Sequence, residues 1–174
     1  MNKIIYTIAC LLIVMSGWSQ VPEQTGSKLE ASEAQEALDH HNKVRKDVGS
    51  PPLEWSAEIA AYAQEWADHL AQDGCEMVHR SSVNMNEKGY GENIYWSSGR
   101  SKALSASLSW YSEISLYHGE AISMSNFSGF GHYTQMVWKK TTKVGIGKTV
   151  CANGSVIIVA NYDPAGNYIG QKPY

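Results

Sequence analysis

His132 stands in GFGHYTQMVW, residues 129–138, behind two glycines and ahead of a short apolar run. It is one of six histidines in a chain of 174 residues. A hydroxyl or an alanine would pack as well at that place. The imidazole is therefore either a core polar group with a fixed hydrogen-bond partner or part of a site, where it would ligate a metal or move a proton. Upstream, the motifs CEMVHR and GYGENIYW are embedded in a stretch rich in Gly, Ser and Asn.

The elements that must carry these residues begin after residue 19. Lys3 gives a small positive start, IIYTIACLLIVM is a short apolar run, and Gly17 and Ser19 fit the small positions of a cleavage site. Residues 1–19 read as a secretory signal peptide, too short and wrongly flanked for a membrane span. Export is expected: to the extracellular space, or to the periplasm if the host is a Gram-negative bacterium. No transmembrane segment is expected after signal removal. The remaining chain of about 155 residues suits one domain with one good core. The formal net charge is −3 with no basic block, which excludes nucleic acid as a partner on electrostatic grounds. Six Trp and ten Tyr against two Phe suit a core with internal hydrogen bonds, or a groove that grips a ligand. Of three cysteines, Cys75 and Cys151 survive signal removal, so there is at most one disulfide rather than a framework.

Residues 20–32 are polar and read as a loose lead-in to a domain over 33–174. A helix is predicted over 32–48, with Leu38, His41, Val44, Arg45 and Val48 near one face. Gly49 and Pro51-Pro52 stop it. Ser56 caps a second helix, whose stripe is Ile59, Tyr62, Ala63, Trp66, Ala67 and Leu70. Residues 75–101 read mostly as loop. A third helix is predicted over 102–117 with Leu104, Leu108, Tyr111 and Ile114 inward, and YTQMVW reads as a short helix. Then the period changes. KVGIGKTVC alternates as a strand, Asn153-Gly154 is a hairpin step, and VIIVANY is a β-branched run suited to burial on both faces. Helices first and an antiparallel hairpin after them give an α+β layer fold, a sheet covered by helices.

GHYTQMVW and ANYDPAGNYIG resemble the two signature motifs of the cysteine-rich secretory, antigen 5 and pathogenesis-related 1 superfamily, the CAP proteins. The resemblance continues through HNKVRKDVGSPPLEW, AAYAQEWA, MVHR, YGENIYW and SWYSEI in the family's order. It covers nearly all of residues 35–174 and reaches the plant pathogenesis-related 1 type, down to the YIGQKPY end. It implies the CAP/SCP fold, an α-β-α sandwich with a small antiparallel sheet between helical layers. It also implies a central cavity with two histidines and two glutamates: His79, Glu92, Glu113 and His132. No two of these are close in sequence, so spacing alone could not reveal them.

Two imidazoles and two carboxylates have three uses. They bind zinc or another divalent metal, they supply a general base, or they form a satisfied network with no chemistry. No nucleophile is specified, since Ser81 and Ser82 beside His79 say nothing about geometry. The resemblance thus implies a secreted, non-enzymatic binding or defence-type protein with a metal-binding His/Glu cavity. One alternative is a metal-dependent secreted hydrolase or protease using the same four residues. Another is a precursor of a C-terminal signalling peptide, residues 164–174. Some relatives bind sterols or fatty acids, and Trp66, Trp110, Tyr62 and Tyr111 are the candidates for such a groove. A protein partner is unspecified and a monomer is expected. His40, His41, His69 and His118 read as solvated or locally paired.

Plant members of the family carry six cysteines in three disulfides. By motif register Cys75 and Cys151 match the first and the fifth, and their family partners fall at Ile146 and Ala160. Each retained cysteine has therefore lost its partner. Either both thiols are free, or Cys75 and Cys151 pair and close a long loop. Ile146 and Cys151 have opposite strand parity, and free thiols are the expectation.

Overall fold

The β-branched run near the C-terminus becomes the strand on which everything else is laid. The computed structural model describes residues 20–83 and 86–174; the signal-peptide segment 1–19 lies outside them. The helices are α1 (Ala31–Asp47), α2 (Ala57–Gln72), α3 (Ala103–Ser112) and α4 (Phe127–Met136), and the strands are β1 (Glu54–Trp55), β2 (Gly91–Ser97), β3 (Lys143–Val150) and β4 (Val156–Asp163). The sheet order is β1-β3-β4-β2. β4 pairs antiparallel with β3 (Ala160 opposite Ile146) and with β2 (Val159 opposite Ile94), while β1 pairs parallel with β3 (Trp55 opposite Val144). The sheet is therefore mixed, with one parallel pairing added to the antiparallel sheet expected. Gly91–Ser97, read from sequence as loop, is an edge strand.

Successive β4 side chains face opposite layers. Ile158, Ala160 and Tyr162 join a core built with α1, α3 and α4, and Ile157 and Val159 pack with Ala63, Trp66, Ala67 and Leu70 of α2. Helices on both faces make an α-β-α sandwich. α2 lies directly on β3 because that strand presents glycines to it: a Cβ on Gly145 would stand 2.1 Å from Ala60 N, and one on Gly147 2.4 Å from Gln64 Cα. Ser56 caps α2 by accepting from Ile59 N at 3.3 Å.

α1 contributes two buried polar anchors. Arg45 donates from Nε to Pro51 O (2.7 Å), from Nη1 to Met136 O and Trp138 O (2.8 and 3.0 Å), and from Nη2 to Thr141 O (2.8 Å). Four carbonyls satisfy a guanidinium that burial holds down to a pKa of about 10. His41 is buried beneath α3, so the solvated alternative for this histidine is corrected.

The inward face of α3 also differs from the expectation. Ala103, Ala106, Ser107 and Trp110 are buried, whereas Leu108 and Ile114 are 49% and 37% exposed. α3 approaches α1 closely enough for the Ser107 hydroxyl to reach His40 Nδ1 at 2.7 Å and His41 Nδ1 at 3.1 Å. Small residues are needed at such a contact, and the large ones turn outward.

Residues 20–32 are not a loose lead-in. Thr25 and Leu29 are buried, Trp55 Nε1 donates to Thr25 O (2.9 Å), and Lys28 N donates to Gln64 Oε1 (3.0 Å). The packed domain thus begins before residue 33. The expectation of free thiols is also corrected: Cys75 and Cys151 are joined in a disulfide, their Cα atoms 6.0 Å apart. Strand parity does not govern Cys151, because it lies past the end of β3. Its N–H donates to Ser155 O (2.8 Å) and its carbonyl accepts from Gly154 N (2.9 Å), within the β3–β4 turn.

The segment after β4 is docked. Thr141 Oγ1 donates to Pro164 O (2.8 Å) and Gly166 N to Gln135 Oε1 (2.9 Å). Gly170 N and Ile122 N bond reciprocally to Ile122 O and Gln171 O (2.8 and 2.9 Å), and Lys139 N donates to Pro173 O (2.7 Å). Among the described residues no helix is long and apolar enough to cross a membrane.

Candidate functional site

His79 is placed by the residue that follows it. Arg80 opens a 3-10 turn, Arg80–Val83, and its buried guanidinium lies 3.8 Å from the Tyr62 ring centroid and 5.5 Å from that of Trp66. It donates to Tyr62 O (3.1 Å) and to Glu65 Oε1 (2.7 Å). This anchors the loop on α2 and leaves His79 at the surface. Glu92, the second residue of β2, meets it there: Glu92 Oε1 accepts from His79 Nδ1 at 2.8 Å and from Arg80 N at 3.0 Å. Asn161, opposite Glu92 on β4, donates from Nδ2 to Gly91 O at 3.1 Å. The Glu92 side chain is almost fully buried although its partner is half exposed.

The second pair rests on a helix irregularity. Phe130 has non-helical φ −144° and interrupts α4. The amides of His132 and Tyr133 then behave as those of a helix start, which lack intrahelical acceptors. Glu113, at the head of the 3-10 turn Glu113–Leu116, supplies one: its Oε2 accepts from both amides at 3.0 Å. Its Oε1 accepts from His132 Nδ1 at 2.6 Å. One carboxylate thus caps α4 and fixes the imidazole.

Both histidines border one open cleft of about 280 Å³, together with Glu92, Asn93, Phe127 and Asn167 among others; Glu113 stands behind His132 and does not line it. In each pair the carboxylate engages Nδ1, which sets the tautomer with Nδ1 protonated and a lone pair on Nε2. Neither Nε2 has a hydrogen bond among the described residues. The four predicted residues therefore come together as two His–Glu pairs at one cleft, not as four ligands around a point. Among the described residues no three His, Cys, Asp or Glu side chains are grouped to hold an ion. Among the described residues no hydroxyl or thiol hydrogen-bonds to either imidazole.

A buried polar chain behind the cleft escapes sequence reasoning. His132 O accepts from Asn93 Nδ2 (3.0 Å), which also donates to the Tyr162 hydroxyl (3.2 Å). That hydroxyl meets His41 Nε2 at 3.0 Å, and His41 Nδ1 meets Ala37 O at 2.8 Å. Trp110 stands between the two histidines, stacked on His132 (centroids 6.2 Å) and edge-on to His41 (6.3 Å). Burial holds His41 down to a pKa of about 4 and pushes Tyr162 up. The histidine at 41 lies on the core side of its helical stripe, which was the one available signal.

The aromatic groove does not form. Trp66 and Trp110 are buried in different cores on opposite faces of the sheet. Tyr62 packs edge-on against Tyr90 (5.2 Å), and Tyr111 against His40 (5.6 Å). These four side chains cannot line one surface.

Three layers, a mixed four-stranded sheet and two carboxylate-held histidines at one cleft define an α-β-α sandwich of CAP type. The chain belongs to CAP, the cysteine-rich secretory protein family, whose sequence model matches residues 38–162. It is 42% identical to pathogenesis-related protein 1C of Nicotiana tabacum over 141 residues, 80% of each chain. It is 40% identical to pathogenesis-related protein 1 of Arabidopsis thaliana over 140 residues, 80% of this chain and 81% of that one. Among solved structures it is similar to NaASP2, crystallised with Zn2+ (28% identity, TM-score 0.69, 89% of this chain and 87% of that one). BmVAL-1 shares the fold (24% identity, TM-score 0.70, 86% and 84%).

Proposed function

We propose that this chain is an exported, non-enzymatic binding protein of the pathogenesis-related 1 type whose cleft takes a divalent cation, zinc being the reference case, on His79 and His132. The observation that carries the reading is the pair of Nδ1–carboxylate contacts, 2.8 and 2.6 Å, on two histidines of one cleft. Carboxylate behind imidazole is the arrangement that orients metal-ligating histidines and raises their basicity. The similar NaASP2 has a crystal structure with Zn2+, and similarity to pathogenesis-related proteins over 80% of the chain supports the defence-type role. The signal-peptide pattern of residues 1–19 supports export.

The donor set fits zinc in kind, with two neutral imidazole nitrogens and two orienting carboxylates. In number it leaves coordination positions to water or to donors of a bound molecule. The ion would supply a charge in a cleft whose own carboxylates are engaged. Glu92 and Glu113 hold the rings, and Arg80 and the α4 amides hold the glutamates.

Isothermal titration with zinc tests the reading. The full exported chain binds one ion. His79→Ala or His132→Ala abolishes that binding, and Glu92→Gln or Glu113→Gln weakens it by about 10- to 100-fold. Unchanged affinity in both histidine variants would sink the metal site. Hydrolysis of a peptide or ester substrate that is lost with a chelator and with both glutamate variants would sink the non-enzymatic reading.

A further inference from the structure

We infer that the Cys75–Cys151 disulfide is a thiol-exchange site: it accepts a low-molecular-weight thiol, such as cysteine or glutathione, as a mixed disulfide on Cys151. Both cysteines line a second open cleft, about 220 Å³, with Gln72, Gly74 and Asn153 on its walls. It lies at the far end of α2 from that helix's cap, where the β3–β4 turn comes down on it. The two residues keep 8% and 5% of their surface, so the bond is recessed but not sealed.

The turn holds a ready set of partners for the product. Ser155 Oγ lies 3.0 Å from Cys75 Sγ, and the same hydroxyl donates to Asn153 Oδ1. A disulfide sulfur has no proton to give, and the one hydroxyl proton is directed to Asn153. Once the S–S bond opens, the sequence Cys75 S–H to Ser155 Oγ–H to Asn153 Oδ1 has a donor and an acceptor at every step. Alternatively the hydroxyl turns and donates to the Cys75 thiolate. Among the described residues Cys151 Sγ has no such partner. Hydrogen bonding to a thiolate favours it as the leaving group, and this assigns the direction. The external thiolate attacks Cys151 Sγ, a new S–S bond forms there, the Cys75–Cys151 bond breaks, and its electron pair leaves on Cys75 Sγ, which takes a proton from water. The step is an exchange and needs no oxidant.

The test uses the full disulfide-bonded chain under native conditions. It is incubated with cysteine or glutathione, quenched with an alkylating agent and mapped by peptide mass spectrometry. The expected product carries the thiol on Cys151 and the alkyl group on Cys75, at a rate proportional to thiol and flat at low urea. Ser155→Ala slows exchange by roughly fivefold, the effect of about one hydrogen bond on the leaving thiol. Asn153→Ala frees the hydroxyl for the sulfur and speeds it. Opposite signs from neighbours in one turn cannot come from loosening the turn. The inference is overturned if exchange occurs only at the urea-dependent rate of unfolding, if both variants change the rate in the same direction, or if the thiol is found on Cys75.

Discussion

Lowering the pH from neutral to 5 should weaken this protein through one buried imidazole, His41. The phenol of Tyr162 reaches His41 Nε2 at 3.0 Å, while Asn93 Nδ2 already donates to the phenol oxygen. Nε2 is therefore an acceptor. A proton placed there meets another donor, with Arg45 and His40 adding repulsion. Tyr162 cannot relieve the conflict by ionising, because burial pushes its own pKa up. Burial first, then these charges, holds His41 at about 4 against an ordinary 6.5. The unfolded chain thus binds the proton more readily, and stability rises with pH across this window. The contribution is whole above 6.5, declines as pH falls towards 4, and is gone below it. The gap corresponds to about 3 kcal/mol in full, of which about 2 kcal/mol is lost between neutral pH and pH 5. Urea unfolding followed by the fluorescence of the buried Trp66, Trp110 and Trp138 reads it directly. In His41→Gln, where an amide keeps one donor and one acceptor, stability at neutral pH falls by about 1–2 kcal/mol and most of the pH slope disappears. His40, also held low by burial, titrates in both proteins and cancels in the comparison. Parallel loss of stability in wild type and variant between neutral pH and pH 5 would refute the reasoning.

Cys151→Ala opens a loop of 76 residues and should lower the unfolding free energy by about 4 kcal/mol in the chain-entropy account, measured by urea unfolding beside the reduced wild type. Gly145→Ala drives a Cβ to 2.1 Å from backbone N of Ala60; α2 must lift from the sheet, at about 1–3 kcal/mol or more, seen as a fall in Tm. Removing Pro173 and Tyr174 deletes the Lys139 N–Pro173 O bond and the Tyr133–Tyr174 hydroxyl contact. Hydrogen exchange at Lys139 should then accelerate, whereas an unchanged rate would show that the tail end carries no part of the fold.

The β3–β4 hairpin is legible because both signals are local: alternation in KVGIGKTV, and Asn153-Gly154 between two runs. β2 is hidden because Gly91–Ser97 becomes a strand only by lying on β4, some seventy residues away; nothing in GENIYWS announces that partner. The four site residues are legible only through motif resemblance. Which glutamate serves which histidine follows from an interrupted helix at Phe130 and from Arg80 on α2, neither of which has a sequence signature. α3 misleads for a definite reason: apolar periodicity selects Leu108 and Ile114, whereas close approach to α1 selects Ala103, Ala106 and Ser107. The cysteines mislead because strand parity has no hold on Cys151, which lies past the end of β3 and already in the turn.

The strand order β1-β3-β4-β2 has a consequence for how the chain comes into being. The central strand, flanked on both sides, is the last strand to leave the ribosome. Until β4 is available, β2 has no neighbour at all and β3 has only the two residues of β1. The four carbonyls that satisfy Arg45 include those of residues 136, 138 and 141, so this charge also waits for the C-terminal third. An N-terminal fragment therefore has no sheet to close and a cation with no home. Folding is postponed until nearly the whole chain is present, when long-range pairings form together.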